Sequence, residues 1–267
     1  MPRILFLGDI VGHPGRSAVC AQLAKLRQEW AVDLVIANGE NAAGGAGIHA
    51  GIASDLLAAG VDAITLGDHC WDQRGFTQEI DGIERLCRPA NLPSQCPGRS
   101  FLTVTAPDGF RLGVFTVLGR QFMKISSDDP FACAERLIEE HRREVDGFLV
   151  EVHAETTAEK IAFGWFLDGR VGLVVGTHTH VPTADGRILP RGTAYITDVG
   201  MCGPFEGVLG RSVEPVVARF IDGLPRKFTV ATGDVRLCGV LVDLEPRRGL
   251  ATRFERVEHP VSPAQEG

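Results

Sequence analysis

The sequence lacks paired cysteines. Its seven cysteines are scattered along the chain, and no two of them form a CxxC motif. An odd number of thiols without metal-binding spacing argues against a disulfide framework and against a structural zinc site. We therefore expect reduced thiols, which are typical of a cytosolic protein.

Long hydrophobic runs are also missing. The apolar run at the N-terminus, Ile4–Leu7, is broken by Gly8 and Asp9 and is too short for the core of a signal peptide. No segment approaches the roughly 20 apolar residues that a membrane span requires. These absences predict a cytoplasmic protein that does not cross a membrane.

An excess of positive charge is the third missing feature. The formal net charge at pH 7 is −7. This value argues against binding nucleic acid through a broad basic surface, although it leaves a link to RNA open. A small anionic substrate remains compatible with the composition, because a bound metal ion can reverse the local charge.

The residues that are present predict an α/β fold. Hydrophobic residues make up 44% of the chain and charged residues 23%, which favours a packed core. Helical patterns separate three short apolar strands, RILFL (Arg3–Leu7), DLVIAN (Asp33–Asn38) and VDAITLG (Val61–Gly67). Such alternation indicates βαβ units and a mainly parallel sheet. Internal repeats and linkers are absent, so we expect one domain over residues 1–267, with frayed residues at 262–267.

The later part of the chain mixes patterns. Asp108-Gly109 lies between two alternating segments and predicts a hairpin turn. A helix is expected from about Pro130 to Glu144. Two further strands, GFLVEVHAE and VGLVVGTHTH, again end in polar residues, and the segments near the C-terminus predict antiparallel strands.

Five predicted strands end in side chains that can bind metals or transfer protons. Ligands of α/β sheets bind outside the carboxyl ends of the strands, so residues far apart in sequence can converge there. In chain order the candidates are Asp9, Glu40 with Asn41, Asp68 with His69, His153, and His178 with His180.

Each candidate also has a simpler explanation when it is considered alone. Asp9 could cap a helix, and Glu40 and Asn41 could lie in a solvated turn. A lone histidine such as His153 is more often structural than a ligand, and a bare HxH is weakly specific. The occurrence of such residues at all five strand ends is what favours a common site.

The mixture of carboxylates, imidazoles and an amide is typical of sites for manganese, iron or zinc ions. Glu40 could bridge two metals at a separation of about 3.5–4 Å. On an extended segment, His178 and His180 would share a face and could each reach a different metal. His69 could stand beside the site as a proton donor to a leaving oxygen.

The sequence blocks around these residues resemble a known family. They are GDIVGHPGR, NGENAAGGAGI, LGDHCWD, VEVHAETTAEK and GTHTHVPTAD. Their order is similar to that of the metallophosphoesterase superfamily, and more closely to the YmdB family of 2′,3′-cyclic nucleotide phosphodiesterases, over nearly the whole chain. The resemblance implies a sandwich of mixed β-sheets flanked by helices, with two transition-metal ions per chain. Iron or manganese is expected, and zinc is an alternative.

The resemblance also assigns the site residues. One metal would be bound by Asp9, Glu40, Asn41 and His180, and the other by Glu40 as a bridge, Asp68, His153 and His178, with His69 as the catalytic histidine.

The chain departs from the superfamily pattern in its first block and from the family pattern in its third. The superfamily's DxH is absent, because Val11 stands two positions after Asp9, and Asn41 fills that role in the YmdB group. His13 lies nearby and is expected to be a loop residue. Asp68 stands where the family has asparagine, which adds a negative charge beside the position of an anionic phosphate.

The implied reaction is hydrolysis of a nucleoside 2′,3′-cyclic monophosphate. A hydroxide held between the metals would attack phosphorus, and His69 would protonate the departing ribose oxygen. The alternatives are another phosphoesterase (a nucleotidase or a hydrolase of linear diesters), a metal-binding regulatory protein with little turnover, and an amidohydrolase. The last is disfavoured because HxH comes late in the chain. Residues 200–210 could form a substrate-side loop or a plain glycine-rich connection, and a homo-oligomer remains open.

Overall fold

Two mixed β-sheets form the centre of the molecule. The structure is a computed structural model that describes residues 1–261, so the frayed C-terminus predicted at 262–267 lies outside the described residues. Within the described part, the first sheet has eight strands in the order β2-β12-β13-β1-β3-β4-β5, with β14 paired to β13. These are β1 (Arg3–Leu7), β2 (Asp9–Ile10), β3 (Leu34–Asn38), β4 (Ala63–Thr65), β5 (Leu86–Cys87), β12 (Met201–Pro204), β13 (Val235–Leu244) and β14 (Ala251–Pro260).

The second sheet has six strands in the order β10-β11-β9-β8-β7-β6. They are β6 (Leu102–Thr105), β7 (Arg111–Leu118), β8 (Gly147–His153), β9 (Leu173–Thr177), β10 (Arg187–Ile188) and β11 (Ala194–Ile196). The predicted hairpin is confirmed, because β6 pairs antiparallel with β7 and Gly109 has a φ of 90°. The predicted antiparallel strands near the C-terminus are confirmed as β13 and β14.

Parallel strands run through the centre of both sheets. In the first, β1, β3, β4 and β5 are parallel neighbours. In the second, β7, β8, β9 and β11 are parallel neighbours. The mainly parallel βαβ arrangement predicted from the sequence is therefore confirmed, and antiparallel partners such as β13 make each sheet mixed.

Helices cover the outer faces of the sheets. They are α1 (Gly12–Glu29), α2 (Ala50–Ala58), α3 (Phe76–Glu79) with a 3₁₀ turn at Ile80–Gly82, α4 (Pro130–His141), α5 (Thr157–Leu167) and α6 (Val213–Asp222). The α4 helix begins as predicted, because Pro130 suits the first position and the Asp129 carboxylate accepts hydrogen bonds from two backbone N–H groups. It ends at His141, before the predicted end at Glu144. No helix in residues 1–261 is long and apolar enough to span a membrane.

The period-2 pattern of the strands explains the layers. In β1, Ile4 and Phe6 belong to the core between the two sheets, whereas Leu5 and Leu7 pack with α1 and α2. On the far side, α4 and α5 pack on the outer face of the second sheet through residues such as Leu137. The order of layers is helix, sheet, sheet, helix, which confirms the predicted α/β sandwich of mixed sheets.

A buried ion pair fixes the segment that follows β9. Nζ of Lys160 lies 2.9 Å from Oδ2 of Asp198, and both side chains are fully buried. The same carboxylate oxygen accepts hydrogen bonds from the backbone N–H and the hydroxyl of Thr179, at 3.1 and 2.5 Å. Because Thr179 lies between His178 and His180, the ion pair holds the backbone that carries both histidines.

This arrangement makes Lys160 important for stability. Lys160→Met should lower the free energy of unfolding by roughly 3 kcal/mol, because it leaves the Asp198 carboxylate buried without its counter-charge. Urea denaturation provides the measurement. The matched control is Lys25→Met, since Lys25 pairs with Glu29 at 3.6 Å on an exposed helix face; it should cost less than about 1 kcal/mol. Equal losses in the two variants would contradict the role given to the buried pair.

Candidate metal centre

The carboxyl ends of strands from both sheets meet at one edge of the sandwich. The first sheet supplies Asp9, which begins β2, Glu40 and Asn41 after β3, and Asp68 after β4. The second sheet supplies His153 as the last residue of β8, and His178 and His180 after β9. Hydrogen bonds and close contacts join all seven, so the structure brings together the ligands predicted from sequence.

Four of these residues form a tight cluster. One donor atom from each of Glu40, Asp68, His153 and His178 lies within 4.8 Å of the other three. Nε2 of His153 lies 3.0 Å from Oδ1 of Asp68 and 3.1 Å from Oε1 of Glu40. Metal–ligand bonds of about 2.0–2.2 Å place neighbouring ligand atoms roughly 3 Å apart. The spacing of the donor atoms therefore fits a transition-metal ion.

A second group adjoins the first through Glu40. The Asn41 amide nitrogen donates to Oε1 of Glu40 at 3.1 Å and lies 3.2 Å from Nε2 of His180. Turning this amide by 180° would present its oxygen to the same space. Oδ1 of Asp9 lies 3.8 Å from Nε2 of His180 and is buried without a hydrogen-bond partner among residues 1–261. A buried, unpartnered carboxylate oxygen fits a cation as its missing partner.

The three imidazoles are oriented alike. Each directs one nitrogen into the cluster and places the other beside an oxygen that can accept a hydrogen bond. Nδ1 of His153 lies 2.9 Å from the Thr177 hydroxyl, Nε2 of His178 lies 3.2 Å from the Glu155 carboxylate, and Nδ1 of His180 lies 3.2 Å from the Leu209 carbonyl. A donated outer N–H leaves the inner nitrogen lone pair free to bind metal.

A buried hydrogen-bond network behind His153 was not predicted from the sequence. The Thr177 hydroxyl donates to Oε1 of Glu151 at 2.6 Å, and the Thr116 hydroxyl donates to Oε2 at 2.9 Å. The Asn38 amide donates to the same Glu151 carboxylate at 2.6 Å from the other sheet. A signal existed, since Glu151 is a charged residue in an otherwise apolar strand and lies two positions before His153, on the same face.

The buried carboxylates of the cluster favour binding of a positive charge. Burial, together with the charges of Glu40 and Asp198, raises the pKa of Asp9 to about 7. Burial alone would lower the pKa of His153, but the Glu40 charge and the hydrogen bond to Asp68 outweigh it and raise that pKa well above its usual value. Both shifts favour the protonated form, because a proton on either group lowers the net negative charge of the cluster. A metal ion would displace the His153 proton, so metal affinity should fall as the pH falls.

One expectation about the HxH segment is wrong. The segment is not extended, because β9 ends at Thr177 and the φ angles of His178 and His180 are 90° and 63°. Both residues occupy the left-handed region that non-glycine residues rarely adopt. The bonds of Thr179 to Asp198 hold this turned backbone, so the two histidines reach the two groups of ligands by a loop and not by strand alternation.

His69 lies beside the cluster. Its backbone N–H donates to Oε2 of Glu40 at 3.1 Å, whereas Nδ1 of its ring lies 2.7 Å from Oδ2 of Asp72. This ring nitrogen therefore points to Asp72 and not to the ligand atoms. His13 lies outside the cluster and is exposed near the start of α1. The expectation that His13 is a loop residue is wrong, because the helix begins one residue before it.

A cavity of about 620 Å³ opens above the cluster. Its floor is formed by Glu40, Asn41, His69, His178 and His180. Its walls are formed by Gly45, Lys124, Val208, Leu209, Arg211, Val216, Arg219, Phe220, Gly223 and Phe228. Residues 200–210 therefore contribute both a strand, β12, and part of a cavity wall next to the candidate metal centre.

Comparisons with known proteins show which proteins the chain resembles. The 2′,3′-cyclic-nucleotide 2′-phosphodiesterase of Bacillus subtilis is 47% identical over 255 residues, which cover 96% of each chain. The crystal structure of a hypothetical protein from Thermus thermophilus has a TM-score of 0.90 and 42% identity, covering 97% of this chain and 99% of that one. A novel phosphatase from Mycoplasma pneumoniae has a TM-score of 0.90 and 35% identity, covering 97% of this chain and 93% of that one.

The family pattern described as YmdB-like protein matches residues 5–257, a range that contains every candidate ligand of the cluster. Together with relatives that are similar over nearly their full length, this match shows that the chain belongs to the YmdB-like family.

Proposed function

We propose that this protein is a dinuclear-metal phosphodiesterase that hydrolyses nucleoside 2′,3′-cyclic monophosphates. The observation that carries the proposal is the buried set of carboxylates and imidazoles on the floor of an open cavity, with His69 beside it. The name of the Bacillus subtilis relative supports the choice of substrate.

The ligand sets divide between two ions. Asp9, Asn41 and His180 would hold one ion, and Asp68, His153 and His178 the other, with the Glu40 carboxylate shared between them. When bound, divalent metals neutralise phosphoryl oxygens and lower the pKa of water from 15.7 towards about 7, which supplies a nucleophile at neutral pH.

The role of His69 follows from its hydrogen bonds. The Asp72 carboxylate accepts a hydrogen bond from Nδ1 at 2.7 Å and so orients the ring. The other ring nitrogen, Nε2, remains for the substrate, because His69 lines the cavity. A histidine in this position can donate a proton to the departing ribose oxygen.

The cavity also suits an anionic substrate. Lys124, Arg211 and Arg219 lie on its walls, although the chain as a whole carries a net charge of −7. Opposite charges at the mouth of a cleft raise the local concentration of an anion and orient its approach.

A manganese titration with a substrate panel tests the proposal. Protein stripped with a chelator should be inactive, and hydrolysis of adenosine 2′,3′-cyclic phosphate should return as bound Mn²⁺ approaches two ions per chain. Adenosine 3′,5′-cyclic phosphate and a linear dinucleotide should be poorer substrates. Metal analysis and product chromatography measure the two quantities.

Three results would argue against the proposal. Saturation at one ion per chain would reject the dinuclear centre. Preference for a linear diester or a monoester would favour another phosphoesterase, and metal binding without turnover of any panel member would favour a regulatory protein.

His69→Ala should reduce turnover of adenosine 2′,3′-cyclic phosphate by roughly 10²–10⁴-fold, because the departing oxygen loses its proton donor. Bound metal should hardly change, since His69 is not among the proposed ligands. A nitrophenyl phosphodiester, whose leaving oxygen needs no proton, should lose much less. Equal losses on the two substrates, or loss of metal, would show that His69 acts differently.

Asp68→Asn tests the departure from the family pattern. Hydrogen bonds from His153 and His178 outweigh burial and hold the pKa of Asp68 below its usual range, so the residue is charged. Its replacement by a neutral ligand should weaken metal binding and leave a more electrophilic centre. We expect higher turnover at saturating Mn²⁺ together with a higher Kd for the metal. Unchanged values of both would remove Asp68 from the site.

A further inference from the structure

Residues 212–229 form a flap beside the metal centre. The flap leaves the body and returns at one point, where Ser212 and Thr229 pair: the Ser212 N–H donates to the Thr229 carbonyl at 2.9 Å, and their hydroxyls lie 2.9 Å apart. Between these residues lies α6, of which only Val216 is buried. The flap is therefore joined to the molecule by its stem and held by few packing contacts.

The flap presents an aromatic ring to the cavity. Phe220 lines the cavity although its side chain is 85% exposed. Phe228 also lines the cavity, but the Arg219 guanidinium lies 5.5 Å from the centre of its ring and covers one face. Phe220 thus offers the more open aromatic face within the cavity that holds the ligand cluster. Ligand cavities are commonly lined by aromatic side chains, and Phe220 is the one on α6 that lines this cavity.

The described side chains that form the cavity walls offer hydrogen-bond donors to a base edge but no acceptors. Among the described residues that form these walls, none carries an amide, hydroxyl or carboxylate side chain. The side-chain hydrogen-bonding groups of the walls are the cations Lys124, Arg211 and Arg219, and the guanidinium of Arg211 donates to the carbonyls of Gly44 and Gly45. The remaining wall side chains are apolar or aromatic, so the walls combine three cations with apolar contact.

From these observations we infer that Phe220 is a stacking platform for the nucleobase and that the site accepts all four bases. This inference rests on the proposed function, which places a cyclic phosphate at the metal centre. A base carried on the same ribose then lies outward from the cluster, against the flap. Every base has a π-face, so stacking holds purines and pyrimidines with little discrimination.

The test compares a cyclic phosphate that has a base with one that lacks it. Phe220→Ala should lower kcat/KM for adenosine 2′,3′-cyclic phosphate by about 10- to 100-fold, mainly through KM. It should leave glycerol 1,2-cyclic phosphate, a five-membered cyclic diester without a base, within about twofold of wild type. Phe220→Trp should retain activity on the nucleotide. Wild-type kcat/KM for the four nucleoside cyclic phosphates should agree within about tenfold, with purines favoured.

Ile221→Ala is the matched control. Ile221 lies on the same helix and is 79% exposed, but it does not line the cavity. Its replacement should leave both substrates unaffected. A similar loss in the two variants would mean that the flap is merely destabilised, and would overturn the inference.

Other outcomes also decide the matter. Equal losses on the base-containing and base-free substrates, no loss on either, or discrimination beyond about 100-fold among bases would reject the stacking platform. If wild-type protein hydrolyses neither cyclic phosphate, the proposed function fails. The platform is then judged by calorimetric binding of adenosine 3′-phosphate to Mn²⁺-loaded protein: about tenfold weaker binding by Phe220→Ala supports it, and unchanged binding rejects it.

Discussion

Buried negative charge is the constraint on which the rest of this structure depends. Asp9, Glu40, Asp68 and Glu151 lie buried where the two sheets meet at their carboxyl edges. Buried carboxylates are strongly unfavourable unless they are paired and hydrogen-bonded. Backbone N–H groups satisfy part of the need, as those of His69 and His178 do for Glu40 and Asp9. The raised pKa values of Asp9 and His153 reflect the charge that remains, because a proton on either group reduces it. A bound cation would supply the same positive charge without protons on the ligands.

Holding these groups together places demands on residues that never touch the ligand space. Glu151 connects the sheets, because it accepts hydrogen bonds from Asn38 on one side and from Thr116 and Thr177 on the other. At Gly67 even a Cβ atom would clash with the Glu40 carboxylate and the His153 ring, so only glycine fits at this position. The Lys160–Asp198 pair fixes the turned backbone after β9. Each of these features helps to keep the ends of separate strands close enough for their side chains to meet at one site.

The sequence was sufficient to predict the elements that follow a simple period. Short apolar strands ending in polar residues located β1, β3, β4, β8 and β9, and parallel pairing then implied that their ends meet. The same reasoning found all seven candidate ligands that the structure gathers. It failed at the HxH segment, because a positive φ at a non-glycine residue is imposed by distant partners, here Asp198, and has no local signature. The Glu151 network required knowing which strands face one another across the sandwich. The role of the flap could not be predicted either, because it depends on the position of the flap beside the cavity.

The two parts of the cavity obey different physical rules. On the floor, the carboxylates and imidazoles depend on directed hydrogen bonds, because a buried polar group that loses its partner is costly. On the walls, apolar and aromatic side chains lie beside three cations, and the apolar contact tolerates small shifts because it has no strict direction. An outlying helix with one buried residue can therefore serve the walls, although it could not carry a metal ligand. The floor of the cavity is therefore rigid, where charges must be positioned. The walls can adapt, where a substrate must enter, bind and leave.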